Sequence, residues 1–570
     1  MSLMVGETGR AAADGTGLRR TLAWRNWNIL FFALAVAVGA LDVWLLVGWR
    51  EIDPLNLSWL SGDSATYQTG WEFLRYEKHW LFPPTWVTGL DYPTGISASY
   101  LDIIPLVGVP LRLISVLLPG HFQYLGPYAV ACFGLQAWFG FKLSSLFADG
   151  DGIVALLGGA LFLVSPVLTK ELYGHFALLS QWIVVASIYY YFRISAERPL
   201  RSNLLPFVVI CAIAAAVQPY FALMANLIAA AGIARTFGLC RTKLVARIAW
   251  ALMPVSATAL SLFVFGFIVP GKTEFAGKGY TNWSMNLLAP INPQTPWAPL
   301  FKAFPVVHGW TLAGYDYLGL GVLLLLFVLL ARTPAAVRKL WSEPIWPLTV
   351  ISIVCTLLAL SVQVAFGTHV LFTIPLPKFA FNLLAAFRGS GRLFWPAYYL
   401  LSLAGIAGLM TTVRSPAARR ALLAVALTLQ YFDGLPIRDG VAASAQAYHP
   451  DRLVSTVWTA LSRNYHHLVI LPAFQCGART PAGLDVWPQF AGLAARGGMT
   501  LNSVYASRMR PQTLRLDCVT IPAQVMREGL DARTAYILSD GLVADLGNRP
   551  HDCRRVDGFN LCTRTRFRRS

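Results

Sequence analysis

The chain has 570 residues, of which 56% are hydrophobic and 13% are charged, and its formal net charge is +18. A soluble domain cannot bury so much apolar surface, so the composition predicts an integral membrane protein. The basic residues stand in short clusters between apolar runs rather than on one continuous face. This arrangement argues against a nucleic-acid-binding protein and is typical of membrane topology.

Residues 1–26 form a polar tail with several arginines and no small-residue cleavage site, which predicts a retained cytoplasmic segment. The first predicted span is Trp27–Trp49, and an acidic outer loop, residues 50–121, follows it on the opposite side of the membrane. In that loop Ser64–His79 has the aromatic content of an interfacial helix, and Leu106–Leu118 is too short and proline-punctuated to cross. Both are therefore predicted to lie at the membrane surface.

The membrane domain is predicted to cover residues 27–433 as an α-helical polytopic bundle of about eleven spans. Basic clusters recur two spans apart, as expected of cytoplasmic turns, and they include Arg193, Arg247, Arg338 and Arg419. The connector at Asp149 is nearly neutral. After the first, the predicted spans are Phe122–Phe147, Ile153–Leu168, Leu178–Phe192, Leu204–Val217, Phe221–Ile233, Ile248–Val269, Leu318–Leu330, Ile345–Ala365, Trp395–Met410 and Ala421–Phe432.

Two further outer loops, residues 270–317 and 367–394, carry cations on the side of the membrane where cations are depleted. An anionic ligand would explain them, and snorkelling within an aromatic belt is the alternative. The cations are Lys272, Lys278, Lys302, Lys378, Arg388 and Arg392.

Residues 434–570 are less hydropathic and are predicted to form a small α/β domain outside the cytoplasm. Strands and helices alternate in this tail domain. The predicted elements are a strand at His466–Leu471, a helix at Pro488–Arg496, a strand at Met499–Tyr505, a helix at Pro522–Gly529 and a strand at Thr534–Ser539.

Four of the eight cysteines lie in the tail domain, and an even set in an exported domain indicates disulfides with three possible connectivities. If Asp557-Gly558 is a two-residue hairpin turn, counting outward places Cys553 opposite Cys562 at a non-hydrogen-bonded pair, where strands approach most closely. We therefore predict Cys553–Cys562, which leaves Cys476–Cys518.

Asp63 is the first candidate for chemistry. A carboxylate just after the first span, on the outer surface, is well placed to take a proton from a hydroxyl. Gly62 and small residues after Asp63 leave room around it. The alternative is that Asp63 caps the Ser64–His79 helix, and Asp102 has the same alternative for the helix that follows it. Four nearby charged residues have helical spacing, which predicts a solvated ladder, meaning a row of exposed charges along one helix face, and not a site. They are Glu72, Arg75, Glu77 and Lys78.

The segment Arg388-Gly-Ser-Gly-Arg392 is the second candidate, because two arginines separated by small residues above a span can close on a phosphate. Lys378, in the same loop, is a possible third charge. His175 lies in a short outer turn, where it binds either a phosphate or sugar hydroxyl, or a turn carbonyl in a purely structural role.

A resemblance covers most of the membrane part and, more loosely, the tail with Asn502 and Arg508. The chain resembles a family of bacterial multi-pass membrane proteins that are similar in plan to the GT-C glycosyltransferases. The residues and motifs that carry it are Gly62-Asp63, Tyr67, Gly70-Trp71, Arg75, Tyr92-Pro93-x-Gly95, Tyr100-x-Asp102-x-Ile104-Pro105, Gly174-His175 and Arg388-Gly-Ser-Gly-Arg392.

The resemblance implies a transferase of the inner membrane that moves a sugar from a polyprenyl-phosphate-linked donor to an envelope glycan or lipid acceptor. Its catalytic base would be an acid of the first outer loop: Asp63 fits, Asp53 lies nearer the span, and Asp102 is the third possibility. The adjacent Asp-Glu pair of the protein mannosyltransferases is absent. We expect an inverting displacement.

In this interpretation Arg388, Arg392 and Lys378 bind the leaving phosphate, while His175, Tyr100 and Trp71 position the substrates. Asp102, the second predicted catalytic residue, positions the sugar or acceptor together with His175. A divalent metal is possible, although no ligand spacing is visible. The alternatives are a lipid-oligosaccharide flippase or other transporter, which usually has charged or broken helices within its spans, and a non-catalytic envelope scaffold.

Overall fold

The computed structural model describes residues 16–240, 243–270, 274–275, 279–294, 302–307, 314–333, 342, 344–477, 480–547 and 551–565. Three cations singled out from the sequence, Lys272, Lys278 and Arg338, lie outside the described residues.

The described chain is mostly helical, with a small α/β region at the carboxyl end. In the membrane part the helices are α1 (Thr16–Ile52), α2 (Gly62–Tyr76), α3 (Pro105–Leu113), α4 (Leu125–Ser145), α5 (Gly152–Leu163), α6 (Pro166–Thr169), α7 (Trp182–Phe192), α8 (Leu200–Val217), α9 (Pro219–Leu239), α10 (Leu244–Val264), α11 (Gly279–Asn282), α12 (Leu320–Arg332), α13 (Trp346–Leu360), α14 (Lys378–Leu384), α15 (Trp395–Thr412), α16 (Pro416–Asp433) and α17 (Leu435–Gln446). Its short strands are β1 (Trp86–Val87), β2 (Ile96–Ser97), β3 (Glu274–Phe275), β4 (Gln363–Phe366) and β5 (His369–Thr373).

Within the described residues five helices are long and apolar enough to cross a bilayer, or six if a bent pair counts as one span. They are Ile29–Ile52, Leu200–Val217, Pro219–Leu239, Leu244–Val264 and Ser390–Thr412, and the bent pair is Gly152–Leu163 with Pro166–Tyr173. Shorter apolar helices stand at three of the other predicted positions: Phe176–Phe192, Leu320–Arg332 and Trp346–Leu360. The last is cut short because the chain turns at Ser361, with φ 60°, into β4.

Close contact between α1 and α4 is made possible by glycine. A Cβ atom on Gly39 would overlap the backbone of Gly134, and one on Gly126 would overlap the backbone at Glu51. Small residues of this kind let membrane helices approach until their backbones touch, so that dispersion contacts hold them together.

The neutral connector at Asp149 belongs to the same end of the bundle as a predicted basic turn. Arg419 Nη1 lies 3.6 Å from Asp149 Oδ2, and Arg420 Nε donates to Asp151 Oδ2 at 2.8 Å. The acids therefore offset the charge of the arginines at the start of α16, which explains why this connector carried no topological signal of its own.

A buried ion pair crosses between α1 and α17. Asp42 accepts a hydrogen bond from Arg438, and both side chains are almost fully buried. Two other buried atoms of the pair, Asp42 Oδ2 and Arg438 Nη1, have no hydrogen-bond partner among the described residues. Charge inside a candidate span is costly and often functional, and the sequence pattern alone did not reveal this pair.

The helix α2, predicted to be interfacial, is buried on all sides over most of its length. Every residue from Ser64 to Leu74 is buried, because the tail domain covers the helix. The predicted solvated ladder is wrong. Glu72 accepts two hydrogen bonds from Arg496 of the tail domain, at 2.8 and 2.9 Å, Arg75 donates to backbone carbonyls of the segment 115–120, and Glu77 accepts from Thr88.

The tail domain is built on a five-stranded sheet of order β10-β11-β9-β6-β7, in which β7, β6 and β9 are parallel. Its strands are β6 (His467–Leu471), β7 (Thr500–Leu501), β8 (Arg508–Met509), β9 (Thr534–Leu538), β10 (Asp552–Val556) and β11 (Phe559–Thr563). Its helices are α18 (Thr456–Asn464), α19 (Trp487–Gly497), α20 (Pro511–Arg515), α21 (Ile521–Glu528) and α22 (Asp540–Leu546). The predicted alternation of strand and helix is therefore present.

Both predicted disulfides are present. Val556 pairs with Phe559 across Asp557-Gly558, and Cys553 pairs with Cys562 at a Cα separation of 4.0 Å. Cys476 is bonded to Cys518.

The tail domain and the acidic loop share one hydrophobic core, in which Phe73 and Leu90 of the loop pack with Trp458, Trp487 and Phe490 of the tail. The segment at Leu90 also extends the sheet: Leu501 N donates to Gly89 O, and Tyr92 N donates to Leu501 O. The tail is therefore packed on the loop as one body rather than joined to it by a linker.

Candidate functional site

Asp63 lies in the first turn of α2. The N-cap is Ser61, and Ser64 Oγ accepts from its backbone N–H, so the capping role considered for Asp63 falls to other residues. The Asp63 carboxylate is 41% exposed and faces two side chains: Oδ1 accepts from the Tyr505 hydroxyl at 3.3 Å, and Oδ2 lies 3.6 Å from His175 Nε2.

A tight turn brings His175 to Asp63. Gly174 precedes it with φ 125°, and a Cβ atom there would stand 3.4 Å from the Cβ of Asp63. Nδ1 of His175 lies 3.6 Å from Glu171 Oε2. The imidazole thus stands between two carboxylates and is not bound to a turn carbonyl.

The electrostatic setting keeps the imidazole of His175 neutral. Burial, followed by the charge of Arg392, lowers its pKa to about 4, although Glu171 and Asp63 oppose the shift. A neutral imidazole carries one N–H and one free acceptor nitrogen. Near neutral pH it is therefore able to donate a hydrogen bond to one of its two carboxylate neighbours and to accept a proton at the nitrogen facing the other.

Buried charges lie behind His175. Glu171 is 1% exposed, and its Oε1 lies 3.5 Å from Lys170 Nζ. Asp316 is also 1% exposed, and neither of its oxygens has a protein hydrogen-bond partner. Burial raises the pKa of Asp316 well above its ordinary value, against the opposing charge of Lys170.

The Arg388–Arg392 segment is fixed above α15 by its neighbours. Gly389 N donates to the Tyr220 hydroxyl at 2.7 Å, Ser390 Oγ to Ala359 O at 3.1 Å, and Gly391 N to Trp283 O at 3.3 Å. The guanidinium of Arg388 lies over the Trp283 ring and that of Arg392 over the Tyr220 ring, each 5.6 Å from the centroid. Aromatic faces hold the two cations without neutralising them. The Arg392 Nε atom is buried and has no protein hydrogen-bond partner.

Asp102 connects the acid and the arginines. It follows a turn of 3₁₀-helix with φ 59°, and Ile104 rather than Asp102 is the N-cap of α3. Burial raises its pKa to about 6, Arg388 and Arg392 oppose that shift, and Asp63 adds to it. Asp63, Asp102 and both arginines therefore lie within electrostatic range of one another, although at least 286 positions separate either acid from either arginine.

The tail domain completes the cluster. Tyr505 supplies the hydroxyl to Asp63, and Arg508 donates to Phe267 O at 3.4 Å and lies 5.8 Å from the Tyr100 ring centroid. The positive charge of Arg388 acts on Arg508 and, together with burial, lowers its pKa. The site is thus built from both parts of the chain.

Three predicted candidates lie outside this cluster. Trp71 is fully buried and donates to Phe122 O at 3.2 Å, so it is part of the core beneath α2. Lys378 is exposed at the start of α14, without a contact to the cluster among the described residues. Asp53 accepts from Leu55 N at 2.9 Å, as in a local turn. Tyr100 is buried and contacts the site only through Arg508.

Four members of the cluster were missed: Lys170, Glu171, Asp316 and Tyr505. The adjacent charges of Lys170-Glu171 inside an apolar run were the available signal. Among the described residues no group of three or more His, Cys, Asp or Glu side chains is arranged to hold a metal ion.

Fold and site together define a helical membrane protein whose first long loop and α/β tail enclose a cluster of mixed charge. The chain belongs to the family described as a domain of unknown function, DUF6311, whose profile matches residues 36–434. The profile of the DUF6311 C-terminal domain matches residues 457–564. No curated protein matches the chain.

Proposed function

We propose that the protein is a membrane glycosyltransferase of the GT-C type that moves a sugar from a polyprenyl-phosphate-linked donor to an envelope acceptor. The observation that carries the proposal is the convergence of Asp63, backed by His175 and Glu171, on the Arg388–Arg392 pair. A base and an anion-binding pair in one partly exposed site are what a displacement at an anomeric carbon requires.

In the proposed mechanism Asp63 takes the proton of the acceptor hydroxyl as its oxygen attacks the anomeric carbon. The bond between that carbon and the phosphate oxygen breaks, and the lipid phosphate leaves with the electron pair and inversion of the sugar. Arg388 and Arg392 bind the negative charge that develops on the phosphate. Asp102 lies within electrostatic range of the base and of these arginines and is placed to hold the sugar.

His175 serves as a positioning residue for Asp63. Its neutral imidazole lies between Glu171 and Asp63, with Nδ1 facing Glu171 and Nε2 facing Asp63, and it limits the directions that the Asp63 carboxylate can take. Tyr505 donates to the other oxygen of Asp63 and fixes the direction in which the carboxylate points.

The proposal includes a bundle of about eleven spans in the inner membrane, with the site and the tail domain on the extracytoplasmic side. The pairing of Asp149 with Arg419 supports this orientation, because it groups that connector with a basic turn. The site lies at the opposite end of α15, which begins after Arg392 and ends near Arg414. Disulfides in the tail also favour an exported domain.

The test uses purified protein in nanodiscs, a polyprenyl-phosphate-sugar fraction extracted from the source membranes, and mass spectrometry of released polyprenyl phosphate. Asp63→Asn is expected to lower release at least about 100-fold, the scale of general-base catalysis, with its melting temperature unchanged. Asp53→Asn is the control and should stay near wild type. Release by Asp63→Asn at the wild-type rate would refute the proposed base.

A flippase is the second candidate, and two observations favour it. A buried Asp42–Arg438 pair crosses between α1 and α17, and the bent helix pair turns by 41° between Leu163 and Pro166. Charged and broken helices are typical of transporters. Movement of the intact lipid-linked sugar across liposomes without release of polyprenyl phosphate would favour this candidate over the transferase.

A further inference from the structure

A cavity of about 420 Å³ lies in the tail domain, away from the charge cluster. Its volume falls in the range of small-ligand sites, about 300–1,000 Å³. One wall is the loop at Tyr92-Pro93 from the membrane part, and the opposite wall is α21 with Gln524 and Glu528. The membrane part therefore contributes one wall of the cavity, and the tail domain forms the rest.

Strand register gives the cavity a polar floor. His467 is paired with Thr500 on one side and with Thr534 on the other, so the three side chains form one row across β7, β6 and β9. The Val469–Tyr536 pair, two positions further along, supplies the next row on the same face. These residues line the cavity.

An aromatic wall is held rigidly over this floor. The Tyr92 ring stacks on the His467 ring with centroids 4.8 Å apart, and His467 Nδ1 is 2.7 Å from Thr500 Oγ1. Tyr92 nevertheless remains 39% exposed. Burial lowers the pKa of His467, so this side chain is uncharged at neutral pH.

The lining discriminates between classes of ligand. A phosphate needs converging cations, but Arg564 is the only lysine or arginine in the described lining, and the acids Glu528 and Asp531 stand at the same cavity. A lipid chain needs apolar walls, but the floor has hydroxyls and an imidazole. An aromatic face beside uncharged polar groups suits a neutral ligand rich in hydroxyls.

We infer that this cavity binds a sugar unit of the acceptor, which makes the acceptor a glycan of several units rather than a lipid. The inference rests on the proposed transferase function. Asn502, which lines the cavity, and Tyr505, which contacts Asp63, are three positions apart, so their backbones are separated by at most roughly 10 Å at about 3.3 Å per residue. A chain of a few sugars covers such a distance, so one unit would occupy the cavity while another reacts.

The experiment measures binding without donor, using full-length protein in nanodiscs and oligosaccharides released by mild acid from the source cells' envelope polysaccharide and sorted by length. Saturation-transfer NMR and calorimetry report binding. Gln524→Trp, which fills the cavity from an exposed position, should weaken binding at least tenfold. Arg527→Trp, exposed on the same helix but outside the lining, is the matched control and should bind like wild type.

Tyr92→Phe should keep the affinity, because the ring remains, whereas Tyr92→Ala should lose it. In transfer assays Gln524→Trp should raise KM for long oligosaccharides and leave kcat unchanged. Three results would overturn the inference. They are oligosaccharide binding that Gln524→Trp does not weaken, no binding of oligosaccharides by the wild type, and displacement of the bound sugars by a peptide pool. Asp63→Asn distinguishes the proposed transferase function from the proposed sugar-binding cavity. This variant should lose transfer but bind oligosaccharides like wild type, and a loss of transfer without a loss of binding does not contradict the cavity assignment.

Discussion

The Tyr505 hydroxyl donates a hydrogen bond of 3.3 Å to Asp63, although 442 positions separate the two residues. One belongs to the tail domain and the other to the first outer loop. The contact shows that the tail domain forms part of the candidate site. The tail domain also shares a hydrophobic core with the loop that carries Asp63.

Tyr505→Phe should lower kcat about tenfold, equivalent to about 1.4 kcal/mol, because a hydrogen bond to a carboxylate contributes on this scale. KM for the donor should change little, since the hydroxyl contacts Asp63 rather than the phosphate site. The measurement is steady-state release of polyprenyl phosphate. Tyr448→Phe, at an exposed position, is the control and should match wild type; equal rates for both variants would argue against the role of Tyr505.

Arg392→Lys should raise KM for the lipid-linked donor about tenfold, because lysine keeps the charge but lacks the planar fork that binds a phosphate through two parallel hydrogen bonds. The unpartnered Arg392 Nε is one such donor. Lys378→Ala should have no effect, since Lys378 is exposed away from the cluster. If Lys378→Ala raised KM for the donor strongly and Arg392→Lys did not, the phosphate-binding role would belong to Lys378 instead of Arg392.

The interface between loop and tail should lose stability as the pH rises. Burial raises the pKa of Asp91 to about 7 and that of Asp517 to about 8. In the unfolded chain both groups ionise near pH 4, so the folded state binds more protons between about pH 4 and pH 8. The stability that these two groups contribute at low pH is therefore lost between about pH 4 and pH 8, and their contribution does not change further above pH 8.

The change should be on the order of a few kcal/mol, and thermal melting between pH 5 and pH 8.5 measures it. Asp517→Asn should flatten the slope, because the amide cannot ionise and keeps an oxygen for the Gln475 side chain. Asp485→Asn, at an exposed position, should leave the slope unchanged. A wild-type slope in Asp517→Asn would show that another group is responsible.

Glu72→Gln should destabilise the docked tail by about 1–3 kcal/mol. The change leaves Arg496 facing a neutral partner. Because Glu72 is buried but Arg496 is 40% exposed, the loss of stability is smaller than for a fully buried ion pair. Thermal unfolding measures the loss of stability, and the rate of proteolysis in the segment between α17 and α18 measures the loosening of the tail domain. Glu528→Gln removes the exposed pair with Arg527 and should leave the melting temperature unchanged, because solvent screens this pair.

Gly39→Ala should separate α1 from α4 and lower the melting temperature, because the added methyl overlaps the backbone of Gly134. Overpacking of this kind costs about 1–3 kcal/mol. Gly238→Ala is the matched helical control, with open space around the added methyl, and should be neutral or slightly stabilising. Identical melting temperatures for the two variants would contradict close packing at Gly39.

Local patterns in the sequence were enough to predict several features. Hydropathy gives the membrane class, because apolar helices of sufficient length have few other stable environments. The elements of the tail follow from periodicity, and the pairing of Cys553 with Cys562 follows from a two-residue turn, because a hairpin fixes strand register over a few residues. The chemical character of Asp63, His175 and the Arg388–Arg392 pair was also visible as unusual charge in outer loops.

Only the tertiary structure decided which of these groups meet. It buried Trp71 in the core, left Lys378 exposed, covered α2 with the tail domain and added Glu171, Asp316 and Tyr505 to the cluster. Hydropathy reports how a segment partitions between water and lipid, but not which distant segment covers it. Burial and electrostatic coupling depend on contacts hundreds of residues apart, so the chemistry of Asp63 is set by neighbours that no local pattern specifies.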